Sequence, residues 1–596
     1  MEAQAGHLAL RRAASVARGL ETPQVGKAHR SRSVLPRLRL IVLVAVYTAT
    51  VAGATCGAFA EDEVPSLVDQ AREAFPAPAL SEPEVGFLTN AERGERAVFT
   101  CTAQPPHDRP EISCGCDSQR TIRSAVVGWL LRSAAARKLL SDRGVRIEGA
   151  ILEGELDLED SQSGLPLELE RCSLERGFRA SFATVSRLRL SGSFVSDFQA
   201  EGIRVSGSVE LNEDFRCPGG VCMKGATIGS DLDLSTADLG DSRGRALDLD
   251  RAAIGGGLFL RGACDDAVAK TFVASGETYL VSLAVGQDVV VEGARFSARD
   301  RKAITADRMS VKGNLRFTPL EVKGRRLAAF RVDGDVRLPL ATVGGTFEWW
   351  GRDTSAATSL NLSFASMKVL DDEKASWPAP GGLRLHGLVY EGFGPFAERG
   401  ARERIEWLRI QQNNGVPFST QPFEQCARTF SVSGDSESAK AVLAAKAHDW
   451  AGSPMASLSW RVLYALLGVV MDYGYAPLRA IVWIVGWIAV ACWFCRRGRA
   501  LGVFVASKAS EARELGEKYP TFSVLGYVLD TCLPVRLVGV AEYWRPGSSE
   551  GTFVPRLERW GVRWGRVAVV AVAVHTAVGW LLSSLAVAGI AGLIKG

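Results

Sequence analysis

The sequence predicts a mainly β protein, a right-handed β-solenoid (β-helix) with helices at both ends and two transmembrane helices near the C-terminus. A seven-residue pattern, apolar-x-Gly-x-apolar-x-apolar, recurs along residues 145–350, and two long uncharged apolar runs follow it. Copies of the pattern begin at Leu152, Val205, Ile254 and Val311, and looser copies without the glycine begin at Ile228 and Val285. The intervals from Val205 to Ile228, from Ile228 to Ile254 and from Val285 to Val311 are 23 to 26 residues, which matches one coil of a three- or four-sided β-helix.

Apolar and polar residues alternate along each copy of the pattern, and this alternation predicts which side chains face the core and which face solvent. In the first copy Leu156 and Leu158 point inward, whereas Glu155 and Asp157 point outward, which is the pattern of a half-buried strand. The central glycine is expected at a corner that needs a positive φ or a close backbone approach. Because no helical crossovers separate the copies, stacked coils are favoured over a parallel sandwich, and the solenoid is predicted over residues 145–396.

The N-terminal end of the chain predicts export. Residues 1–39 carry eight Lys or Arg, residues 40–60 are almost wholly apolar or small, and Ala58-Phe59-Ala60 has the small-x-small form of a signal-peptidase site. Residues 1–60 are therefore a signal peptide or an N-terminal anchor. A net charge of +4 in 596 residues gives no reason to expect nucleic acid as a partner.

Two segments separate the export signal from the solenoid. Residues 61–120 contain Pro and Cys without a sustained period, and they predict irregular structure. Residues 121–144 contain apolar side chains at helical spacing, including Ile122, Val126 and Leu130. Because the first coil of a solenoid exposes an apolar end, we expect this helix to cap it.

After the solenoid the apolar period becomes helical. Residues 397–452 predict a helical hairpin, with one helix from Ala401 to Gln412, a second opened by Pro422 and a third from Glu437 to Trp450. The hairpin is too short to stand alone as a repeat array, so it should pack on the solenoid end or at a membrane surface. Residues 453–477 predict an interfacial helix.

Two uncharged runs, residues 478–495 and 567–594, are long enough to cross about 30 Å of hydrocarbon. Arginines follow the first run and precede the second, which predicts a cytoplasmic loop over residues 496–566 and a solenoid outside the cytoplasm. Within this loop the stretch from Val524 to Val540 includes Asp530, Pro534 and Arg536. It predicts an interfacial helix, with a re-entrant segment as the alternative.

The cysteines suit an oxidising compartment. Cys217 and Cys222 bracket the turn sequence Pro-Gly-Gly-Val and could close a small disulfide loop. Cys101, Cys114 and Cys116 crowd one short segment and are further disulfide candidates, although connectivity does not follow from sequence. No pair of histidines has the spacing of metal ligands, and no motif predicts a cofactor. Cys114 and Cys116 could bind a soft metal or exchange disulfides, but a structural disulfide with Cys101 is favoured.

One cluster is a candidate binding site. Glu348, Trp349, Trp350, Arg352 and Asp353 lie together in the last coils. Adjacent residues of a strand face opposite sides, so one Trp should lie in the core and the other should be exposed. An exposed Trp beside a carboxylate and a guanidinium is a platform for sugar rings or for a protein partner, and packing against the helical hairpin or lipid is the alternative.

Several short motifs support a family resemblance. Gly149-Ala150, Gly225-Ala226 and Gly293-Ala294 recur in the coils, and Trp407-Leu408-Arg409, Asp472-Tyr473-Gly474-Tyr475-Ala476-Pro477 and Leu529-Asp530-Thr531-Cys532-Leu533-Pro534 follow them. With these motifs, residues 85–596 resemble uncharacterised bacterial membrane-anchored proteins that join a pentapeptide-repeat-like β-solenoid to a two-span membrane region. The resemblance implies an architecture and a setting in the bacterial cytoplasmic (inner) membrane, but no activity.

The function expected from these features is binding or scaffolding in the bacterial cell envelope without catalysis. The partners would be the lipid bilayer, through the C-terminal helices, and an envelope protein or polysaccharide. The alternative is a β-helix polysaccharide lyase or hydrolase, which requires acidic and basic side chains converging in one groove. Glu348 and Asp353 are the best candidates for such a pair.

Overall fold

The computed structural model describes residues 66–100, 117–241, 244–265, 268–411, 418–555 and 562–591. These residues are mainly β, and most strands belong to two long parallel sheets, one of 18 and one of 17 strands. Helices precede and follow the sheets. This arrangement is consistent with the predicted β-solenoid.

The 18-stranded sheet contains two stacks of parallel strands, which we call the first and fourth faces. The first face stacks Ala97–Val98, Val145–Glu148, Leu167–Glu170, Leu188–Arg189, Val209–Glu210, Leu232–Asp233, Leu258–Arg261, Val289–Glu292 and Leu315–Thr318. The fourth face stacks Thr184–Val185, Arg204–Val205, Thr227–Ile228, Ala253–Ile254, Ala284–Val285 and Ser310–Val311. Three longer strands, Thr342–Trp349, Ser366–Asp372 and Val389–Phe393, continue both faces.

The 17-stranded sheet contains the other two stacks, the second and third faces. The second face stacks Thr121–Arg123, Ile151–Glu153, Ser173–Leu174, Phe194–Val195, Arg216–Cys217, Asp238–Leu239 and Val273–Ser275. The third face stacks Leu156–Asp157, Phe178–Arg179, Phe198–Gln199, Val221–Cys222, Arg245–Asp248, Glu277–Tyr279, Thr358–Asn361 and Leu383–Arg384. Arg295–Thr305 and Arg331–Arg337 run through both faces.

The four stacks show that each coil is four-sided, which the sequence intervals left open. Equivalent positions of successive coils lie one above another, as Leu167, Leu188 and Val209 do on the first face. Their side chains are fully buried, and Phe178 stacks on Phe198 of the next coil with ring centroids 4.8 Å apart. The inward side chains therefore form one continuous core that is shared between neighbouring coils.

The corner between the third and fourth faces has the same backbone conformation in coil after coil. One residue per coil has a φ between +55° and +76° there, and its N–H bonds to a carbonyl of the next coil, except at Gly387 in the last coil, whose N–H bonds to the side-chain oxygen of Gln421. The column contains Asp160, Phe182, Gly202, Gly225, Arg251, Ser282, Arg308, Leu340, Phe364 and Gly387. Because few of these residues are glycine, the coil geometry imposes the left-handed conformation on ordinary side chains.

The glycines of the seven-residue pattern lie at corners, as the sequence predicted. Most of them are needed because another coil approaches closely, and not because the backbone has a positive φ. Gly154 has a φ of +91°. A Cβ on Gly207 would lie 2.7 Å from the carbonyl oxygen of Ser186 in the preceding coil. Close approach between coils therefore accounts for the glycine at this corner.

Two antiparallel hairpins interrupt the coils, Ala263–Asp265 with Val268–Lys270 and Leu320–Val322 with Arg325–Ala328. After the solenoid, Phe504–Ala506 pairs antiparallel with the distant strand Trp544–Pro546. Short 3-10 turns lie at Asp117–Gln119, Lys374–Ser376, Asp472–Gly474 and Gly516–Lys518.

Four helices precede or interrupt the first coils: α1 (Leu67–Ala74), α2 (Glu82–Arg93), α3 (Ser124–Arg132) and α4 (Ala134–Leu139). The expectation of irregular structure over residues 61–120 therefore fails for α1 and α2. A capping box starts α2, in which Ser81 and Glu84 bond each other's backbone N–H, and this short signal was missed. Residues 121–123, expected in a helix, form a strand instead.

Three helices follow the last coil: α5 (Ala401–Ile410), α6 (Gln421–Val432) and α7 (Ser436–Gly452). Their positions match the helical periods in the sequence, and Pro422 lies in the first turn of α6 as predicted. Trp407, Phe423 and Val442, one from each helix, are buried in the same core as the coils. The helices thus extend the hydrophobic core of the solenoid rather than forming a separate one.

The remaining helices are α8 (Leu458–Met471), α9 (Leu478–Ala500), α10 (Ala509–Leu515), α11 (Val524–Cys532), α12 (Val540–Tyr543) and α13 (Trp564–Ile590). Among the described residues, α9 and α13 are long and apolar enough to cross a membrane. They pack against each other, and many of their apolar side chains are exposed, Val482 by 72% and Trp493 by 70%.

A short hairpin made of α11 and α12 packs against both long helices. It begins beside the end of α9, where Arg499 donates to the carbonyl of Phe522 (3.2 Å). It reaches the middle of α13, where His575 Nε2 donates to the carbonyl of Val528 (3.2 Å). The turn after α11 is held by the Asp530 carboxylate, which accepts the N–H groups of Leu537 and Val538 at 2.9 and 2.8 Å.

Candidate functional site

The five residues of the predicted binding cluster lie where the last coils meet the C-terminal helices. Trp349 points into the core and is only 1% exposed, in agreement with the alternation of the strand. Its Nε1–H donates to the carbonyl of Ser376 at 2.8 Å, and its ring lies 5.1 Å from that of Phe330. Trp349 is therefore a structural residue of the last coils.

Trp350 points outward, but it is not the exposed platform that the sequence predicted. Its ring stacks on Phe396 with centroids 4.2 Å apart, and the guanidinium of Arg326 lies 5.4 Å from the ring. Its Nε1–H donates to Glu348 at 3.3 Å, and only 8% of the residue is exposed. The segment that leads into α5 covers this tryptophan, and that tertiary contact is invisible to strand alternation.

The side chain of Arg352 donates hydrogen bonds to the backbone around it. Its guanidinium donates to the carbonyls of Ser376 and Ala356 at 3.1 and 3.2 Å and to the hydroxyl of Thr358 at 3.1 Å. Partial burial lowers the pKa of Arg352, an effect that neighbouring Asp353 opposes. This side chain holds the loop between the last coils in place.

The two carboxylates of the cluster have separate partners. Glu348 pairs with Arg316 at 3.2 Å, whereas Asp353 pairs with Arg331 at 3.1 Å. Hydrogen bonds from the side chain and backbone of Ser355 are the main cause that lowers the pKa of Asp353. The structure therefore shows no contact that brings Glu348 and Asp353 together as an acid–base pair.

An open groove of about 340 Å³ lies beside the cluster, between the hairpin at Leu320–Ala328 and the last coils. Arg326, Arg352, Thr354 and Glu373 supply its polar lining. The Glu373 carboxylate accepts the N–H of Gly351 at 2.9 Å and the hydroxyl of Ser376 at 3.2 Å. Most of these polar groups are already engaged, so the groove can offer a ligand mainly shape and weak polar contact.

A fully buried ion pair at this junction was missed by the sequence reasoning. Arg404 of α5 is fully buried and bonds both oxygens of Asp372, from Nη1 to Oδ2 at 3.0 Å and from Nη2 to Oδ1 at 2.7 Å. The rings of Phe393 and Trp407 lie 4.4 and 5.2 Å from the guanidinium. The sequence did offer one signal, because Arg404 is a charged residue at an inward position of the predicted helix. Its partner Asp372 lies 32 residues earlier, so the pairing could not be predicted from local spacing.

Asp371, beside this ion pair, is also buried and accepts the N–H groups of Phe396 and Ala397 at 2.7 and 2.9 Å. Burial raises the pKa of Asp371, and nearby Glu348 and Asp372 add to this effect, while the two N–H bonds oppose it. Two adjacent aspartates therefore hold the residues that follow the last coil: Asp371 binds the backbone of Phe396 and Ala397, and Asp372 binds Arg404.

The cysteine pair predicted to form a disulfide is present as two free thiols. Cys217 is in the core and Cys222 is partly exposed on the next strand, so their side chains lie on opposite sides of the coil wall. Burial raises the pKa of both thiols. Cys101, Cys114 and Cys116 lie outside the described residues.

Within the part of the chain that the structure describes, no group of His, Cys, Asp and Glu side chains is placed to hold a metal ion. No family model, no curated protein and no solved structure matches this chain.

Proposed function

We propose that this chain is a membrane-anchored β-solenoid that acts as a binding or scaffold module outside the cytoplasm, in a bacterial cell envelope. The observation that carries the proposal is the joint between the stack and the C-terminal helices. There, a fully buried Asp372–Arg404 ion pair and a shared hydrophobic core make the solenoid and α5 continuous. Such a joint suits a stack that holds a partner at a fixed position relative to a membrane.

The anchoring part of the proposal rests on α9 and α13. Their exposed apolar side chains would be costly in water and favourable in lipid. Arg497 and Arg499 end α9, and Arg563 and Arg566 flank the start of α13, so both arginine ends would lie on the cytoplasmic side of an inner membrane. The solenoid would then be extracytoplasmic, as the export signal also suggests.

In this setting the α11–α12 hairpin is a re-entrant segment. It enters at the arginine end of α9 and reaches the middle of α13 at His575. Non-helical backbone at that depth is tolerated when protein groups satisfy it, and Asp530 supplies acceptors for the turn. The re-entrant alternative thus replaces the interfacial helix in our proposal.

At the other end, we assign α1–α4 as the cap of a right-handed coil stack. Leu67, Phe87 and Val126 are fully buried and belong to the core of the coils. Glu84 of α2 bonds Arg123 of the second face at 2.7 Å, which ties the helices to the first strands. Covering this end keeps the apolar interior from water and closes an edge that could pair with another chain.

The fourth face is the surface that we assign to the partner. Beyond Arg204, its outward row is exposed and uncharged, with Thr227, Ala253, Ala284, Ser310 and Thr342 directly above one another. On the first face, by contrast, Arg146 and Arg189 pair with Glu168 and Glu210 at 3.1 and 2.5 Å. A protein or polysaccharide therefore displaces fewer existing contacts on the fourth face.

The test is site-specific cross-linking in cells. A photo-reactive residue replaces Ala284 on the fourth face, and a matched variant carries it at Arg337 on the third face. The proposal expects a discrete cross-linked product from position 284 and not from position 337. Equal, diffuse labelling from both positions would contradict it, and turnover of an envelope glycan that falls in a Glu348→Gln variant would favour the lyase or hydrolase alternative.

A further inference from the structure

Three arginines at the end of α9 differ from those of the solenoid. Arg496, Arg497 and Arg499 are exposed, and no carboxylate of the described residues lies within ion-pairing distance of them. In the solenoid, by contrast, Arg189 and Arg316 each contact a carboxylate. The end of α9 is therefore a concentration of positive charge that the described part of the protein leaves without a counter-charge.

Two of these arginines line an open groove of about 890 Å³ between the last turns of α9 and the first turn of α11. Arg496 and Arg499 lie on one side of it, and Trp493, Val524 and Leu525 supply apolar walls. One N–H of Arg499 is used by the carbonyl of Phe522, which fixes the guanidinium in the groove. A guanidinium has five donors, so most of those of Arg499 stay available.

General features of membrane helices explain why arginines lie at the end of α9, but they do not explain the apolar groove beside these arginines. Arginine is favourable at the C-terminal end of a helix and on the cytoplasmic side of a membrane. Neither effect requires an apolar wall next to the guanidinium groups. Trp493 is 70% exposed and Leu525 is 55% exposed, so the wall faces outward, away from the protein core.

We propose that this groove binds an anionic phospholipid, with Arg496 and Arg499 contacting its phosphate and with Trp493 and Leu525 lying along its acyl chains. The inference rests on the proposed membrane anchoring. Charge complementarity selects an anionic headgroup, because guanidinium and phosphate form paired, charge-assisted hydrogen bonds. The apolar walls select a lipid over free phosphate. The site would also fasten the entry of the re-entrant hairpin to α9.

The test uses the full chain purified in a neutral detergent and titrated with short-chain phosphatidylglycerol, phosphatidylcholine or inorganic phosphate. Binding is followed by native mass spectrometry. We expect phosphatidylglycerol to bind in preference to the other two. An Arg496→Gln/Arg499→Gln variant should lose roughly 30-fold in apparent affinity, since each arginine near an anionic lipid contributes about a fivefold factor.

An Arg402→Gln variant, whose side chain lies on α5 and is 87% exposed, is the matched control and should bind like the parent. Thermal melting in phosphatidylcholine shows whether the double variant stays folded. Equal binding of both lipids, tighter binding of inorganic phosphate, or an unchanged affinity in a folded double variant would overturn the inference. Extraction of membranes with carbonate separates the two proposals, because release of the parent chain would defeat the anchoring itself.

Discussion

At the scale of single residues, the Asp372–Arg404 pair shows how charge can join two parts of a protein. A buried ion pair adds little net stability compared with apolar residues of the same size, but it is severely destabilising to break. Arg404 also has aromatic rings around its guanidinium, so its position is fixed in several directions. We attribute to this pair the orientation of α5 on the last coil.

An Arg404→Met variant should therefore lose about 3–5 kcal/mol of stability, because it leaves the Asp372 carboxylate buried without a partner. Thermal melting of the full chain and limited proteolysis of the coil–helix joint would measure the loss. Arg402→Met, two residues earlier, changes a side chain that is 87% exposed and should cost less than about 0.5 kcal/mol. Equal losses in the two variants would contradict this role for Arg404.

For Asp371 we expect a substitution to increase stability rather than to decrease it. Because burial raises its pKa in the folded protein, the carboxyl contributes most stability when protonated, below its unfolded pKa near 3.8. That contribution is lost as the pH rises through the folded pKa. Asp371→Asn keeps an oxygen acceptor for the N–H groups of Phe396 and Ala397, so it should melt higher than the parent at neutral pH.

The gain in Asp371→Asn should shrink as the pH falls toward about 4, in melting curves recorded between about pH 4 and pH 8. Asp353→Asn is the matched comparison, because the pKa of Asp353 is lowered and its contribution is lost as the pH falls. This variant should therefore melt lower than the parent at neutral pH. If both variants lose stability to the same extent at every pH, the burial effect assigned to Asp371 is wrong.

At the scale of elements, the corner between the third and fourth faces offers a matched pair of glycines. Gly202 and Gly225 have φ values of +66° and +63°, but only at Gly202 would a Cβ meet a neighbour, the Phe182 ring at 2.7 Å. Gly225→Ala should cost about 1–2 kcal/mol for the left-handed backbone alone.

Gly202→Ala should cost more, because the steric contact with Phe182 adds to the same backbone term. Thermal melting of the two variants measures the difference, and replacing Phe182 by Ala in the Gly202→Ala background should recover part of it. A Gly202→Ala variant as stable as Gly225→Ala would show that the ring moves aside without cost.

The α11–α12 hairpin makes a second prediction for an element. A Cβ on Gly579 of α13 would lie 2.5 Å from the carbonyl oxygen and 2.8 Å from the Cα of Cys532. Gly579→Leu should therefore push the hairpin off α13 and expose the Cys532 thiol, which is buried in the parent. Mass spectrometry after alkylation in membranes would detect modified Cys532.

Val570→Leu is the control for the hairpin, because Val570 is exposed on the same helix. It should leave Cys532 unreactive. Unchanged protection of Cys532 in Gly579→Leu would show that the hairpin is not held at this contact.

Sequence periodicity predicted the elements with regular patterns and missed those defined by contacts between distant residues. The seven-residue repeat located the coils, since inward aliphatic positions recur at every coil. Trp350 was misjudged because its cover, Phe396, lies 46 positions later and on no repeating pattern. The four-sided coil was not predictable either, because all four strands of most coils are only two to four residues long.

At the scale of the whole molecule, the proposed topology makes one decisive prediction. In a background lacking the native cysteines, including the exposed Cys264 and the partly exposed Cys222, Ser297→Cys on the second face should react with an impermeant maleimide in intact spheroplasts. Ser549→Cys, in the segment between α12 and α13, should react only after permeabilisation. The reverse pattern would place the solenoid in the cytoplasm.

The register of the coils has a consequence for how such proteins can change in length. Because the coils between Leu167 and Arg261 each present the same four short parallel strands, one of them could be duplicated or deleted with its neighbours still meeting complementary partners. Each such event would move the distal end by about 4.8 Å. The coil that holds Asp372 is excluded from this freedom, since its carboxylate is the partner of Arg404 in α5. Selection could therefore adjust the reach of the protein in equal steps without rebuilding its attachment.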